Sequence, residues 1–170
     1  VKALRDGVEP DLEDPFLHGP EIEIGLAALI PEDYMPDVHM RLVHYKRIAN
    51  AANDADLDEL QIELIDRFGL LPPPLKTLFA ITSLKLLAQR LGVAKIQAGA
   101  EGGSIRFAER SKVDPIKLIK LIEGEKERYK LDGPYKLRFS WRLAAPEQRV
   151  QSLEKLLGKL APTEKSSAAA

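Results

Sequence analysis

Two pairs of alternating segments, each pair joined by a short turn, constrain the fold of this sequence more than any other feature. Residues 93–98 and 104–108 flank the glycine-rich turn 99–103, and alternating residues also flank the turn 132–134. Alternation of apolar and polar side chains indicates strands buried on one face, and a short turn between two such strands indicates a hairpin. Because a helical segment follows each hairpin, the sequence predicts an α+β fold with an antiparallel sheet and not a doubly wound parallel sheet.

One further strand and five helices complete the predicted order, which is strand, three helices, hairpin, helix, hairpin, helix. The strand begins at Glu21, where apolar residues alternate with polar ones, and Pro31 ends it. Capping residues, prolines and glycines delimit the helices. The helices are predicted over 37–53, from an N-cap at Asp54 to Gly69, and over 75–91, 115–124 and 146–160.

Helical periodicity also predicts which side chains are buried. The inner face predicted for the first helix comprises Val38, Leu42, Tyr45, Ile48, Ala49 and Ala52. Arg47 is predicted to face outward. The helix over 75–91 has apolar residues on two opposite sides, which is typical of a central helix. In the second hairpin, Tyr135, Phe139 and Trp141 are predicted to lie in the core.

The composition is that of an ordinary globular protein. Hydrophobic residues make up 45% of the 170 residues and charged residues 30%, which excludes wholesale disorder and a coiled coil. Cysteine does not occur in the sequence, and the longest apolar stretch, Ile24–Ile30, is far shorter than the roughly 20 residues of a membrane span. No secretory signal opens the chain. We therefore expect a cytoplasmic protein without disulfides and without membrane association.

The charge distribution divides the chain into an acidic and a basic part. Residues 1–68 carry 16 acidic and 6 basic residues, whereas residues 69–170 carry 10 and 19. This asymmetry allows an acidic docking surface, and the net charge of −1 argues against a dedicated nucleic-acid binder. Residues 1–20 are predicted to be an acidic connecting arm from a preceding domain, 21–160 a single domain and 161–170 a disordered tail. The valine at the first position predicts a piece of a larger protein.

The residue types that carry most catalysis do not occur in usable patterns. No phosphate-binding loop of the form G-x-x-x-x-G-K-[ST] is present, and the glycines of 99–103 match no dinucleotide fingerprint. His39 and His44 are five residues apart, about 140° around a helix, whereas helical metal-binding pairs are spaced by four. His18 lies in the acidic arm. We therefore predict no catalytic residue, cofactor, metal site or small-molecule ligand, and a domain that is not an enzyme by itself.

The most informative surface is an acidic stripe on the second predicted helix. Its members fall within about 100° of arc, opposite the predicted core face. They are Glu59, Ile62, Glu63 and Asp66. Carboxylates opposite the core stay ionised, which disfavours acid–base catalysis. Two interpretations remain: a solvated helix face, or a docking surface whose carboxylates bind arginines of a partner around an apolar contact at Ile62.

A basic row lies on the polar face of the second hairpin. It comprises Lys130, Lys136, Arg138 and Arg142, which are candidates for weak phosphate contacts. No aromatic side chains are interleaved on that face, so stacking on single-stranded nucleic acid has no support. The other interpretation is an ordinary solvated sheet face.

Three segments of the chain carry a family resemblance. They are ALIPEDYMPDVHMRLVHYKRIANA at 28–51, LIDRFGLLPPP at 64–74 and YKLDGP at 129–134. In order and spacing they resemble the C-terminal domain of the Mfd family of bacterial transcription-repair coupling factors. The resemblance extends over approximately residues 9–160.

The resemblance implies a regulatory domain of a large ATP-driven DNA translocase that acts on stalled RNA polymerase in excision repair. In that family the domain packs against an amino-terminal UvrB-like module of the same polypeptide and masks its UvrA-binding surface. Glu63 and Asp66 match the carboxylates that contact arginines of that module, and Glu59 and Ile62 join them only by position on the helix. A DNA-contacting accessory module that uses the basic hairpin face is the alternative.

Overall fold

The computed structural model of the chain describes residues 19–163. The arm predicted over 1–20 and the tail predicted over 161–170 therefore lie almost entirely outside the described residues. The chain forms two compact units: unit 1 contains Ala27–Leu86, and unit 2 contains Pro20–Leu26 and the chain from Leu87 onward. Along the sequence, unit 1 is thus inserted between the first segment of unit 2 and the rest of that unit.

Unit 1 is helical, and its helices begin and end at recognisable capping residues. They are α1, Val38–Ala49; α2, Asp54–Phe68; and α3, Pro73–Leu91, which begins in unit 1. The Asp37 carboxylate caps α1 by accepting two backbone N–H groups. Helix α2 is capped by Asn53 and not by Asp54 as predicted, because Asn53 has the extended backbone and accepts the N–H of Asp56. Gly69 ends α2 as predicted, with a φ of +97°.

The core of unit 1 gathers apolar side chains from all three helices and the loop before α1. Its fully covered members include Met35, Ile48, Leu64 and Leu75. Ile48 is buried and Tyr45 packs against this core, as predicted for α1. Helix α3 is buried on two sides, as its pattern predicted, since Phe79 and Leu84 are both covered. Burial of one such side chain contributes about 1.5–3 kcal/mol to folding, so this core holds α1 and α2 in place.

The inner face of α1 differs from the prediction at several positions. The helix ends at Ala49, so Ala52 lies beyond it and is exposed. Val38 is 59% exposed and Leu42 is 56% exposed, whereas His44 is only 3% exposed. His44 is satisfied at a buried position because its Nδ1 lies 2.9 Å from the carbonyl oxygen of Met40. Its ring also meets the ring of Phe68 edge-on. A histidine therefore occupies a core position that the apolar pattern assigned to neighbouring residues, and the buried face is rotated accordingly.

Unit 2 contains a five-stranded sheet with the strand order β1-β2-β3-β5-β4. The strands are β1, Glu21–Glu23; β2, Val93–Ala98; β3, Gly102–Phe107; β4, Tyr129–Leu131; and β5, Lys136–Ser140. The two predicted hairpins are present, and β3 joins them by pairing antiparallel with β5. The predicted α+β class is thus confirmed. Strand β1 is parallel to β2, with Ile22 opposite Ile96, and this pair was not part of the predicted antiparallel sheet. Pairing between segments so distant in sequence leaves no trace in local periodicity.

Glycines determine where two of the strands begin and end. Strand β1 stops at Glu23, before the predicted end at Pro31, because the chain turns at Gly25 with a φ of +66°. Gly102 and Gly103 were predicted in the turn but are the first residues of β3. A Cβ atom on either would collide with the backbone of the neighbouring strand, so only glycine allows the strands to approach there.

Two helices accompany the sheet: α4, Pro115–Gly124, and α5, Gln148–Leu160. Helix α5 buries its predicted face, formed by Val150, Leu153, Leu156, Leu157 and Leu160. Phe139 and Trp141 are buried as predicted, and the Trp141 indole N–H donates to the Gly99 carbonyl at 2.9 Å. Tyr135 was predicted in the core but is 46% exposed; it lies just before Lys136, the first residue of β5. Among residues 19–163, no helix has the length and apolar character to cross a bilayer.

Candidate functional site

The outer face of α2 combines acidic and apolar side chains that are all exposed. We call this set the α2 outer face; it comprises Asp58, Glu59, Ile62, Ile65 and Asp66. It lies opposite the side that buries Leu57, Leu60 and Leu64 in the core. Ile62, near its centre, is 60% exposed. Three members of the predicted stripe, Glu59, Ile62 and Asp66, therefore lie together here, and their docking role stays a prediction.

Glu63, the fourth member of the predicted stripe, is turned toward α1. Both of its oxygens accept hydrogen bonds from Arg47, with Oε2 2.8 Å from Nη1 and Oε1 2.8 Å from Nη2. Nη1 of Arg67, one turn further along α2, lies 3.4 Å from Oε2. Arg47 was predicted to face outward, and it is exposed. It also links α1 to α2 through a bidentate ion pair.

The ion pair controls the protonation of Glu63. Hydrogen bonds from Arg47 lower the pKa of Glu63 to about 2 against the opposing effect of burial, and the charge of Arg47 acts in the same direction. The same hydrogen bonds raise the pKa of Arg47. Both partners are therefore ionised at neutral pH. Their side chains are 41% and 36% exposed, so solvent screens much of the attraction.

The buried His44 ring contacts the Arg47 guanidinium and helps to orient it. The Nε2 atom of His44 lies 3.5 Å from Nη1 of Arg47, while Nδ1 faces the carbonyl oxygen of Met40. In the tautomer that fits this arrangement, Nδ1–H donates to Met40 and Nε2 accepts from Arg47. A buried side chain thus positions the guanidinium that in turn holds Glu63. Sequence reasoning missed the Arg47–Glu63 pair because it joins two helices.

Tyr34 fixes the carboxyl end of α2. Its hydroxyl oxygen lies 2.8 Å from the carbonyl oxygen of Gly69 and 3.1 Å from that of Leu64, and its ring packs at 5.7 Å on Phe68. Burial raises the pKa of the Tyr34 hydroxyl, so it remains a hydrogen-bond donor. The residue after Gly69, Leu70, is 84% exposed. Nothing in the sequence distinguished Leu70 from the loop around it.

Two carboxylates of the α2 outer face have no partner inside the structure. Within residues 19–163, no ion pair or hydrogen bond involves the side chain of Glu59 or that of Asp66. A shallow hollow of about 310 Å³ between α1 and α2 is lined by Glu59 together with Arg47 and Glu63. The α2 outer face therefore presents exposed carboxylates that can bind an outside donor beside exposed apolar side chains, a combination that suits a protein partner.

The basic row on the second hairpin is arranged differently. Nε of Arg138 lies 2.8 Å from Oδ2 of Asp132, and Nζ of Lys136 lies 4.0 Å from the same oxygen. The hydrogen bond from Arg138 lowers the pKa of Asp132. Lys130 is exposed beside Arg138 in the neighbouring strand, and Arg142 is exposed after β5. Two of the four predicted phosphate ligands therefore share one carboxylate.

The surroundings of the basic row are also mixed in charge. A hollow of about 710 Å³ on this sheet face is lined by Lys130, Lys136 and Arg138, and also by Glu23, Glu101 and Glu127. Acidic side chains beside the basic ones oppose the binding of a polyanion. No group of three or more potential metal ligands occurs in the described part of the chain.

Comparison with known proteins bears on this site. A family model described as the TRCF domain matches residues 24–118. The transcription-repair-coupling factor of Haemophilus influenzae is 47% identical over 161 residues, covering 95% of this chain and 14% of that protein. The corresponding factor of Escherichia coli is 42% identical over 160 residues, covering 94% of this chain and 14% of that protein. The chain thus spans about one seventh of the length of these relatives.

A solved structure supports the fold independently. The crystal structure of a C-terminal domain of transcription-repair coupling factor superposes with a TM-score of 0.70 at 23% identity, covering 84% of this chain and 94% of that one. Its likeness shows the shared α+β architecture. With the family match over more than half of the chain, this places the sequence firmly: it belongs to the TRCF domain family of bacterial transcription-repair coupling factors.

Proposed function

We propose that this domain is a non-catalytic regulatory domain that docks on the amino-terminal UvrB-like module of its own polypeptide and masks the module's UvrA-binding surface. The observation that carries the proposal is the α2 outer face, where the unpaired carboxylates of Glu59 and Asp66 flank the exposed Ile62. Membership of the coupling-factor family supports a role in transcription-coupled DNA repair. On this proposal, the parent protein supplies the ATP-driven motor and the contacts to RNA polymerase and DNA.

The chemistry of the α2 outer face suits a partner that presents arginines. A carboxylate accepts the parallel N–H groups of a guanidinium in a bidentate arrangement. Asp66 and Glu59 are available for such bonds. Glu63 already accepts two hydrogen bonds from Arg47, but two carboxylate oxygens offer about four lone-pair positions. It can therefore accept one more donor while it stays bound to Arg47.

Autoinhibition follows because this domain, which is attached to the amino-terminal module, competes with free UvrA for the same surface of that module. A domain tethered to its target acts at a high effective concentration, so a modest intrinsic affinity keeps the surface covered. Movement of the motor that pulls the two domains apart would expose the module to UvrA. The domain needs no catalytic group for this role.

The DNA-contacting alternative receives less support from the geometry. Asp132 binds Arg138 and faces Lys136, so two of the four bases are partly neutralised before any phosphate approaches. Acidic side chains line the same hollow. The α2 outer face has no such internal compensation, and we therefore prefer protein docking.

The experiment that tests the proposal measures UvrA affinity of the full-length factor that carries this domain. Glu59→Ala/Asp66→Ala should weaken the intramolecular contact and raise the affinity for UvrA by about tenfold. A matched control removes two exposed acids of unit 2, Glu109→Ala/Glu123→Ala, and should leave the affinity unchanged. If both variants bind UvrA as the parent does, and deletion of the whole domain also has no effect, the autoinhibitory role is wrong.

A further inference from the structure

We propose that the docking contact is anchored by apolar side chains, with Leu70 as the main anchor and Ile62 and Ile65 beside it. The partner surface must then be an apolar pocket rimmed by guanidinium or ammonium groups. This inference rests on the function proposed above and assigns the pocket to the basic face of the same amino-terminal module. It shifts the centre of the contact from the carboxylates to the end of α2.

The exposure of these side chains is the first argument. Leu70 is 84% exposed, which is the highest value among the exposed large apolar side chains of the described residues. Ile62 is 60% exposed, and Ile65 lies one turn from it on the same face of α2. A single exposed leucine is ordinary, but a group of exposed large apolar side chains within residues 62–70 is a typical feature of an interaction surface.

The rigidity of the segment is the second argument. Leu70 lies between Gly69, whose carbonyl oxygen accepts from Tyr34, and Leu71, which is buried in the core. The N–H of Gly69 donates to the carbonyl of Ile65 at 2.9 Å, and its φ of +97° directs the chain away from the helix. The backbone that carries Leu70 is therefore held on both sides. An anchor that is already ordered loses little conformational entropy on binding.

The charges around the anchors define the partner. Asp58, Glu59 and Asp66 flank the isoleucines, and α2 contains a single base, Arg67. The Arg67 guanidinium lies 3.4 Å from Glu63 and over the ring of Phe68. The rim around Ile62 and Ile65 is therefore acidic. It would repel nucleic acid and anionic lipid and would attract a basic protein surface.

The test uses the full-length factor and compares three single substitutions. Leu70→Ser should raise the affinity for UvrA by about tenfold, because loss of a buried anchor weakens a closed contact by that factor. Leu70→Met keeps the apolar volume and should behave like the parent. Ile116→Ser removes a 64% exposed side chain of unit 2 and should also behave like the parent. Melting temperatures verify that each variant is folded.

Measurements at different ionic strengths distinguish the contribution of the apolar anchor to docking from that of the acidic rim. Raising the ionic strength should reduce the effect of Glu59→Ala/Asp66→Ala, since exposed charges are screened over about 10 Å or less. The effect of Leu70→Ser should persist. If Leu70→Ser lowers the melting temperature, Ile62→Ser provides the same test from within the helix.

The outcomes distinguish this inference from the proposed function. If the acidic double variant raises UvrA affinity and neither Leu70→Ser nor Ile62→Ser does, the docking proposal stands and the apolar anchor is wrong. If deletion of the domain has no effect on UvrA affinity, the docking proposal itself fails. If Leu70→Ser only abolishes self-association of the factor, the partner is a second copy of the chain, and the assignment to the module is overturned.

Discussion

Two charged surfaces of this molecule look alike in the sequence and differ in the structure. On the α2 outer face, Glu59 and Asp66 have no partner among the described residues and lie beside exposed isoleucines. On the second hairpin, Asp132 holds Arg138 and faces Lys136. A charge that already has a partner gains little from a second one. A row of like charges therefore indicates docking only where its members lack partners within the fold.

Charge reversal should have very different effects on the two surfaces. Glu59→Lys/Asp66→Lys in the full-length factor should raise the affinity for UvrA by about 100-fold, because like charges facing each other cost several kcal/mol. Lys130→Glu/Arg142→Glu on the hairpin should change it by less than about twofold. Titration with UvrA at physiological salt measures both. Equal effects from the two surfaces would remove the distinction between them.

A second prediction concerns the ion pair beside the α2 outer face. Arg47→Ala should lower the free energy of unfolding by about 1 kcal/mol, because it removes a bidentate but partly screened pair and leaves the Nε2 of His44 without a donor. Asp132→Ala on the exposed hairpin should leave the urea midpoint nearly unchanged. Urea unfolding of the 170-residue chain tests this. A larger loss from Asp132→Ala would contradict it.

The stability that the Glu63–Arg47 pair contributes should depend on pH. Its pKa is about 2 in the folded protein, against 4.5 ordinarily, so the pair stabilises fully above pH 4.5 and is lost as the pH falls through about 2. The stability difference between the parent and Glu63→Gln should therefore be constant from neutral pH to about pH 5 and then shrink. In an Arg47→Ala background, that pH dependence should become much smaller, because mainly the weaker hydrogen bond from Arg67 then lowers the pKa of Glu63. A pH dependence of undiminished size in that background would mean that another group titrates.

The smallest expected effect is on DNA binding. The chain should bind duplex DNA weakly at low salt and not measurably at physiological salt, since its net charge is −1. Asp132→Asn releases Arg138 and Lys136 and should strengthen low-salt binding about twofold to fivefold. Fluorescence anisotropy with a labelled duplex measures this. Submicromolar affinity of the parent at physiological salt would favour the DNA-contacting alternative.

Much of the fold was predictable because its signals are local. Asp37 and Gly69 mark helix ends through their own hydrogen bonds and backbone angles, and alternation around two turns predicted both hairpins. Features that depend on distant contacts were missed. The parallel pairing of Ile22 with Ile96 is one example, and the burial of His44 is another, since it needs a carbonyl and an aromatic ring that the helical period does not reveal.

The candidate site was likewise predictable only where its residues depend on a single helix. A helical wheel placed Glu59, Ile62 and Asp66 on one exposed face because the wheel needs only the helix itself. It placed Glu63 with them, although Arg47 of another helix draws that carboxylate aside. The exposure of Leu70 follows from how Tyr34 and the core fix the chain on either side of it. No periodicity within a loop could indicate that.

The insertion of unit 1 between β1 and β2 has a consequence for how the chain folds during synthesis. Ile22 pairs with Ile96, so β1 leaves the ribosome long before β2, its neighbour in the described sheet. At about 5–20 residues per second, β1 waits roughly 4–15 s for β2. Helices form from local contacts and need no such delay. Once unit 1 has folded, it shortens the effective loop that must close, and β1 then joins the sheet at a reduced entropic cost.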